Sequence, residues 1–316
     1  MRVLLLLFSC TLLSAQTPAL FDYDHALPFD YQEEIGRKDP QFECAGAGLQ
    51  VPRIGKLNML VVRPVGKGPF PAIVYQHGGG QNMLTYLAEA EVMARAGAVS
   101  LILDAPPASP EPSKPLAEMS PAEIREENAG IVVCYRRTLD YLDSLKTIDA
   151  ARIGFVGHSY GGILAGVLAG IDRRVKTFVL IGGVARYSRH IAVNQSDVWV
   201  QWRNRVGISN LPRALEELRP IDPDQYISRP GHGPILFQCG NFDSPDNVEA
   251  GQEYFRAASA PKELRWYDTD HSFADIEATF DRMQWLEKEL KLKPVRPLLD
   301  RLWAKPARRA APLKVN

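Results

Sequence analysis

Ser159 stands between Gly157 and Gly161 in the stretch FVGHSYGGIL, residues 155–164. With RIGFV read as a strand and YGGILAGVLAG as a helix, Ser159 occupies the sharp turn between them. Neither glycine position has room for a side chain in such a turn, and the serine hydroxyl points out of the sheet. A neutral serine is a poor nucleophile. It needs a base to take its proton, a third group to hold that base, and donors for the negative oxygen that forms when a carbonyl is attacked.

Six histidines are available as the base, and only His271, in DTDHSF, follows the last predicted strand on a polar loop. His25 lies near the N-terminus, and His190 and His232 fall in a long insertion. His77 and His158 belong to the glycine motifs, where structural roles are expected. For the third group, CGNFDSPD puts Asp243 just beyond a predicted strand, at the carboxyl end where open α/β sheets build their sites. Asp246 follows Pro245 at the start of a helical pattern and is expected to cap it. Asp268 and Asp270 sit too near His271 in sequence to stand easily behind its ring. A second glycine cluster, YQHGGGQN, follows an earlier strand; Gly78 or Gly79 there, together with the Tyr160 amide, are the candidate oxyanion donors.

The elements that must position these groups are punctuated regularly. LNMLVVRPV (57–65), AIVYQH (72–77), AVSLILDA (98–105), residues 152–157, VKTFVLIGG (175–183), PILFQCG (234–240) and ELRWYD (263–268) read as strands. Helical patterns over about 84–96, 160–170, 247–258 and 273–290 alternate with them. A further helix begins after Ser120, with proline at its first position and Glu123 three residues after the cap. Such alternation predicts the α/β class, a mostly parallel sheet covered on both faces. Residues 18–50 read as an N-terminal extension with one strand, and 51–290 as the main domain, in which 184–233 form a lid insertion. Residues 291–316, with eight Lys or Arg against the single acid Asp300, read as a solvated basic tail. Trp199 and Trp202 either line an acyl pocket or bury the insertion on the domain. Asp104, closing strand 98–105, either contacts substrate or caps the proline-rich loop after it.

Composition narrows the partners. The 316 residues are 46% hydrophobic and 23% charged with zero formal net charge, which is ordinary globular usage and points to no nucleic-acid surface. The opening residues 1–17 carry Arg2, an apolar run from Val3 to Leu13 and small residues after it, the three regions of a secretory signal. Cleavage is expected between Gln16 and Pro18, so the mature chain is expected to be secreted or periplasmic; the run is short for a membrane span, and a lipid on Cys10 is the weaker alternative. Cys44, Cys134 and Cys239 then remain, an odd number that leaves at least one unpaired, and Cys134 and Cys239 read as packed thiols. Their spacing suits no metal, and no cofactor is expected.

On the motif around Ser159, the glycine cluster at 78–80, Asp243 and His271, residues 51–290 resemble the α/β-hydrolases, with a likeness to dienelactone hydrolases and acetyl xylan esterases. The resemblance implies an eight-stranded, mostly parallel sheet, Ser159 as nucleophile, Asp243 as acid, His271 as base, and Gly78, Gly79 and Tyr160 as the oxyanion region. Dienelactone hydrolases typically carry cysteine at the nucleophile, where this chain has serine. An exported serine carboxylesterase acting on a small-molecule or carbohydrate ester accommodates all of these residues. A serine peptidase of prolyl-oligopeptidase type shares such a domain, but the chain has no propeller-sized N-terminal region to gate peptides. A non-catalytic binding protein of the same fold is the third reading, and the intact serine, aspartate and histidine stand against it. Oligomeric state is left open.

Overall fold

The computed structural model describes residues 18–105 and 114–303; the expected signal (1–17), the loop at 106–113 and the end of the tail lie outside the described residues. In chain order the elements are β1 (Gln32–Lys38), β2 (Phe42–Val51), β3 (Gly55–Pro64), β4 (Phe70–Gln76), α1 (Leu87–Ala96), β5 (Val99–Leu103), α2 (Pro121–Ser144), β6 (Ile148–His158), α3 (Tyr160–Ile171) and β7 (Thr177–Ile181). There follow α4 (Tyr187–Val193), α5 (Asp197–Val206), α6 (Leu211–Leu218), α7 (Asp224–Ile227), β8 (Ile235–Gly240), α8 (Pro245–Ala257), β9 (Lys262–Tyr267), α9 (Ile276–Leu290) and α10 (Arg296–Trp303).

The strands form one sheet in the order β1-β2-β3-β5-β4-β6-β7-β8-β9. The first three and the β3–β5 contact are antiparallel, and every pairing from β5 through β9 is parallel. β5, β7 and β8 are buried at every position, as strands covered on both faces must be. Alternate side chains go to opposite cores. Val74, Phe155, Phe178 and Leu180 pack with Leu139 of α2 and Leu164 and Leu168 of α3. Ile73, Tyr75, Val156 and Val179 pack with Met93 of α1 and Leu286 and Leu290 of α9. The start of α2 satisfies its free amides locally: Ser120 Oγ accepts from Glu123 N at 3.2 Å and Glu123 Oε2 accepts from Ser120 N at 2.6 Å.

Three features differ from the sequence reading. The sheet has nine strands, not eight, because residues 18–50 hold two. β1, QEEIGRK, is exposed along its whole length and shows no apolar alternation. The backbone ladder to β2 holds it, helped by ion pairs from Glu33 to Arg63 of β3 and from Arg37 to Glu91 of α1, and its charges suit an open sheet edge. The boundary drawn at residue 50 falls inside a hairpin, since Val51 of β2 pairs with Gly55 of β3. The tail does not leave the surface at once: Val295 and Leu299, one turn apart, are buried against the α1–α9 face, so α10 is docked there. Residues 184–233 supply α4–α7, whose Val184, Tyr187, Ile191, Trp202 and Leu218 pack in one cluster with Ile124 of α2 and Ile163 of α3. No helix among the described residues is long and apolar enough to cross a membrane.

Candidate active site

The turn from β6 to α3 puts Ser159 at φ +48° and ψ −114°, a region that costs a non-glycine residue about 1–3 kcal/mol. The surrounding glycines make the turn possible. A Cβ on Gly157 would lie 2.5 Å from the Gly161 carbonyl oxygen, and one on Gly161 would lie 2.5 Å from the Gln76 carbonyl oxygen. The Ser159 amide donates to Ile181 O at 2.7 Å, which pins the strained residue to the end of β7.

Loops after β8 and β9 bring the other two groups to this point. His271 Nε2 lies 2.8 Å from Ser159 Oγ, and His271 Nδ1 lies 2.7 Å from Asp243 Oδ2. A carboxylate only accepts, so Nδ1 carries the proton and Nε2 is left as the acceptor of the serine hydroxyl. Asp243 Oδ1 accepts from Ser244 N at 2.7 Å and from Asn247 Nδ2 at 2.8 Å. Burial alone would raise the Asp243 carboxyl, but the His271 contact, then Asn247 and the Ser244 amide, hold it below the ordinary carboxylate value. The aspartate side chain is 6% exposed and the imidazole 40%, so the carboxylate is shielded while the ring faces solvent. Gly182, at φ +56°, gives the ring its space: a Cβ there would lie 3.3 Å from His271 Cε1.

The glycine cluster after β4 faces the same point, and a Cβ on Gly78 would lie 3.1 Å from Ser159 Cβ. Its two candidate amides are not equivalent. The Gly78 N–H is already donated to Gln81 Oε1 at 2.9 Å, whereas the amides of Gly79 and Tyr160 have no partner among the described hydrogen bonds. Gly78 is thereby corrected from candidate donor to a packing position, and the amides of Gly79 and Tyr160 are the two that remain unpaired among the described hydrogen bonds.

Other residues singled out in the sequence fall elsewhere. Asp246 is not the cap of α8; Ser244 is, accepting from the Asn247 amide. Asp268 Oδ1 accepts from Asn241 Nδ2, and Asp270 Oδ1 accepts from the Ser272 amide and hydroxyl. Asp104 stands 3.3 Å from His77 Nε2. Trp202 is fully buried and donates to Met119 O at 2.9 Å, and Trp199 packs edge-on against both Trp202 and Tyr187. Trp202 therefore fastens the insertion to the segment before α2, and Trp199 packs against the insertion's own aromatic rings. Cys44, Cys134 and Cys239 are all free thiols. Sequence reasoning missed Gln81, Gly182 and Asn247. Asn247 carries the clearest signal, one helical turn after Asp243.

The sequence pattern of the prolyl oligopeptidase family matches residues 136–291, the stretch that holds Ser159, Asp243 and His271. An acetyl esterase of Xylanibacter ruminicola is 22% identical over 274 residues, 79% of this chain, and the match spans 60% of that protein's length. Among solved structures, an acetyl xylan esterase from Paenibacillus sp. R4 superposes with a TM-score of 0.72 at 21% identity, covering 86% of this chain and 92% of its own. Acetyl xylan esterase 1 from Thermoanaerobacterium sp. JW/SL YS485 gives 0.70 at 15% identity, covering 85% and 90%. With its parallel sheet, its serine on the strand-to-helix turn after β6 and these neighbours, the chain has the α/β-hydrolase fold.

Proposed function

We propose that this protein is a serine carboxylic ester hydrolase. One observation carries the reading: an unbroken line of hydrogen bonds from Ser159 Oγ through His271 to the shielded Asp243, ending on a strained elbow. Ser159 Oγ attacks the ester carbonyl carbon as its proton passes to His271 Nε2. Asp243 holds the imidazole in the receptive tautomer and stabilises the imidazolium. The amides of Gly79 and Tyr160 receive the oxyanion, each such donor being worth about 3 kcal/mol in the transition state. Collapse of the intermediate breaks the carbon–oxygen bond to the alcohol, which takes the proton from His271 and leaves an acyl-serine. Water, deprotonated by the same imidazole, then releases the acid.

The printed names of the similar proteins support acetyl as the acyl group, on a small alcohol or a carbohydrate. Residues 1–17 support export before the enzyme meets that substrate. The match to the prolyl oligopeptidase pattern favours a peptide bond as the second reading. Purified protein assayed on nitrophenyl esters of increasing acyl length, acetylated xylan and a proline-nitroanilide peptide separates the two. Turnover of short esters is expected. Cleavage of the anilide alone would replace the ester reading, and absence of any turnover or fluorophosphonate labelling would leave a binding protein.

A further inference from the structure

His158, the residue before Ser159, is 5% exposed and touches the site from behind. Its Nε2 lies 2.8 Å from the backbone oxygen of His271, and its Nδ1 lies 3.1 Å from Gln81 Oε1, the atom that also accepts the Gly78 amide. One ring thus spans three loops: the glycine loop after β4, the elbow after β6 and the histidine loop after β9. A backbone carbonyl only accepts, so Nε2 carries the proton; Nδ1 of the neutral ring is then an acceptor and meets Gln81 Oε1, which also only accepts, as a packing contact and not a hydrogen bond. Burial, followed by the charge of His271, pushes the His158 pKa down to about 4. The ring is therefore neutral near pH 7 and places no second cation beside His271.

The histidine loop, between β9 and α9, is tied to the loop after β8 where Thr269 O accepts from Phe242 N and Asp268 Oδ1 accepts from Asn241 Nδ2, two and three residues before His271. Among the described hydrogen bonds, the one from His158 is the only one that reaches the His271 backbone. Neighbouring residues are tied at Thr269, to Tyr267 O, and at Phe273, to Asp270 O. The two imidazoles lie 5.3 Å apart at 39°, and Phe273 meets the His158 ring edge-on. We infer that His158 is a positioning residue which, through the His271 carbonyl, sets the distance from His271 Nε2 to Ser159 Oγ. This rests on the reading of His271 as the base. A misplacement of about 1 Å in such a group can cost about a hundredfold in rate.

The test compares His158→Phe, which keeps a ring and loses the donor, with His158→Gln, whose amide nitrogen can occupy the place of Nε2. On a nitrophenyl acetate, the phenylalanine variant is expected to lose about ten- to hundredfold in kcat with KM within about twofold. The glutamine variant is expected to recover most of that loss, and fluorophosphonate labelling rates should follow kcat. A second readout is the low-field proton resonance of His271 Nδ1–H, expected to broaden or move in His158→Phe and to return in His158→Gln. A folded phenylalanine variant with unchanged kcat and unchanged resonance would overturn the inference. Should that variant not fold, His158→Asn, whose amide reaches only the Nδ1 position, replaces it, and equal behaviour of the asparagine and glutamine variants would also overturn it. If the wild-type protein neither turns over esters nor takes the label, the proposed function falls, and the proton resonance still decides the positioning role.

Discussion

Among the described residues there are two serine–histidine hydrogen bonds of nearly equal length, at opposite ends of the parallel strands. Ser159 Oγ lies 2.8 Å from His271 Nε2, beyond the carboxyl ends of β6 and β9; Ser259 Oγ lies 2.7 Å from His232 Nε2, before the amino ends of β9 and β8. What differs is the far side of each ring. His271 Nδ1 meets a shielded carboxylate, while His232 Nδ1 meets the carbonyl oxygen of Gly233 at 2.8 Å. A carbonyl fixes the tautomer but has no full charge with which to stabilise an imidazolium. The serines differ too: Ser159 sits on a strained turn facing free amides, whereas Ser259 Oγ also approaches Arg229 O at 3.3 Å. The second pair is a stitch between the loop before β8 and the end of α8. A serine hydroxyl within reach of an imidazole is therefore no sign of a nucleophile until the carboxylate and the oxyanion donors accompany it.

The largest expected difference between the two ends is in turnover. Ser159→Ala should lower ester hydrolysis by about ten-thousandfold or more and abolish fluorophosphonate labelling. Ser259→Ala should leave both unchanged. Labelling that survives the first substitution, or vanishes with the second, would reverse the comparison.

The carboxylate is the next difference to break. Asp243→Asn should cost about a thousandfold or more in kcat, because the amide favours the wrong imidazole tautomer. Asp246→Asn, three residues on and outside the hydrogen-bonded line, should keep turnover within about twofold. Turnover of both variants on one ester decides between them, and a larger loss for Asp246 would move the acid.

A smaller effect is read in stability against pH. An unfolded histidine titrates near about 6.5, and His158 in the folded protein titrates at about 4. Between those values the unfolded chain binds a proton that the folded ring refuses. Stability should therefore fall as pH drops from about 6.5 toward 4, by about 1 kcal/mol per unit from this group, with no contribution from it above that window. Urea titrations across this range should show a shallower slope for His158→Gln than for the wild type, and equal slopes would remove His158 as the cause.

The smallest effect belongs to the stitch. Ser259→Ala removes one neutral hydrogen bond and should cost about 1 kcal/mol of unfolding free energy, measured in denaturant. A loss several times larger would mean that the amino-terminal loops hold the sheet more tightly than one bond allows.

Much of the carboxyl-end geometry was legible because each group carries a local mark. Glycines bracket Ser159, Asp243 directly follows a buried strand, and His271 stands on a polar loop after the last one. The capping box at Ser120 and Glu123 is equally local and is present as read. The features that were misread depend on partners remote in sequence or on a choice between adjacent residues. β1 has no apolar pattern, and only its ladder to β2 makes it a strand. The cap of α8 is Ser244 and not Asp246, a choice of two positions that boundary reading does not resolve.

By itself, then, the sequence determined the alternation of strands and helices, the strained turn at Ser159 and the order in which serine, aspartate and histidine occur. These follow from side-chain periodicity and from glycines at fixed offsets, which act over a few residues. Only the tertiary structure decided that Gln81 takes the Gly78 amide, that Trp202 spends its N–H on Met119, and that His158 reaches the His271 carbonyl. A hydrogen bond depends on distances within about 3 Å, and those distances between loops are set by packing across the whole sheet.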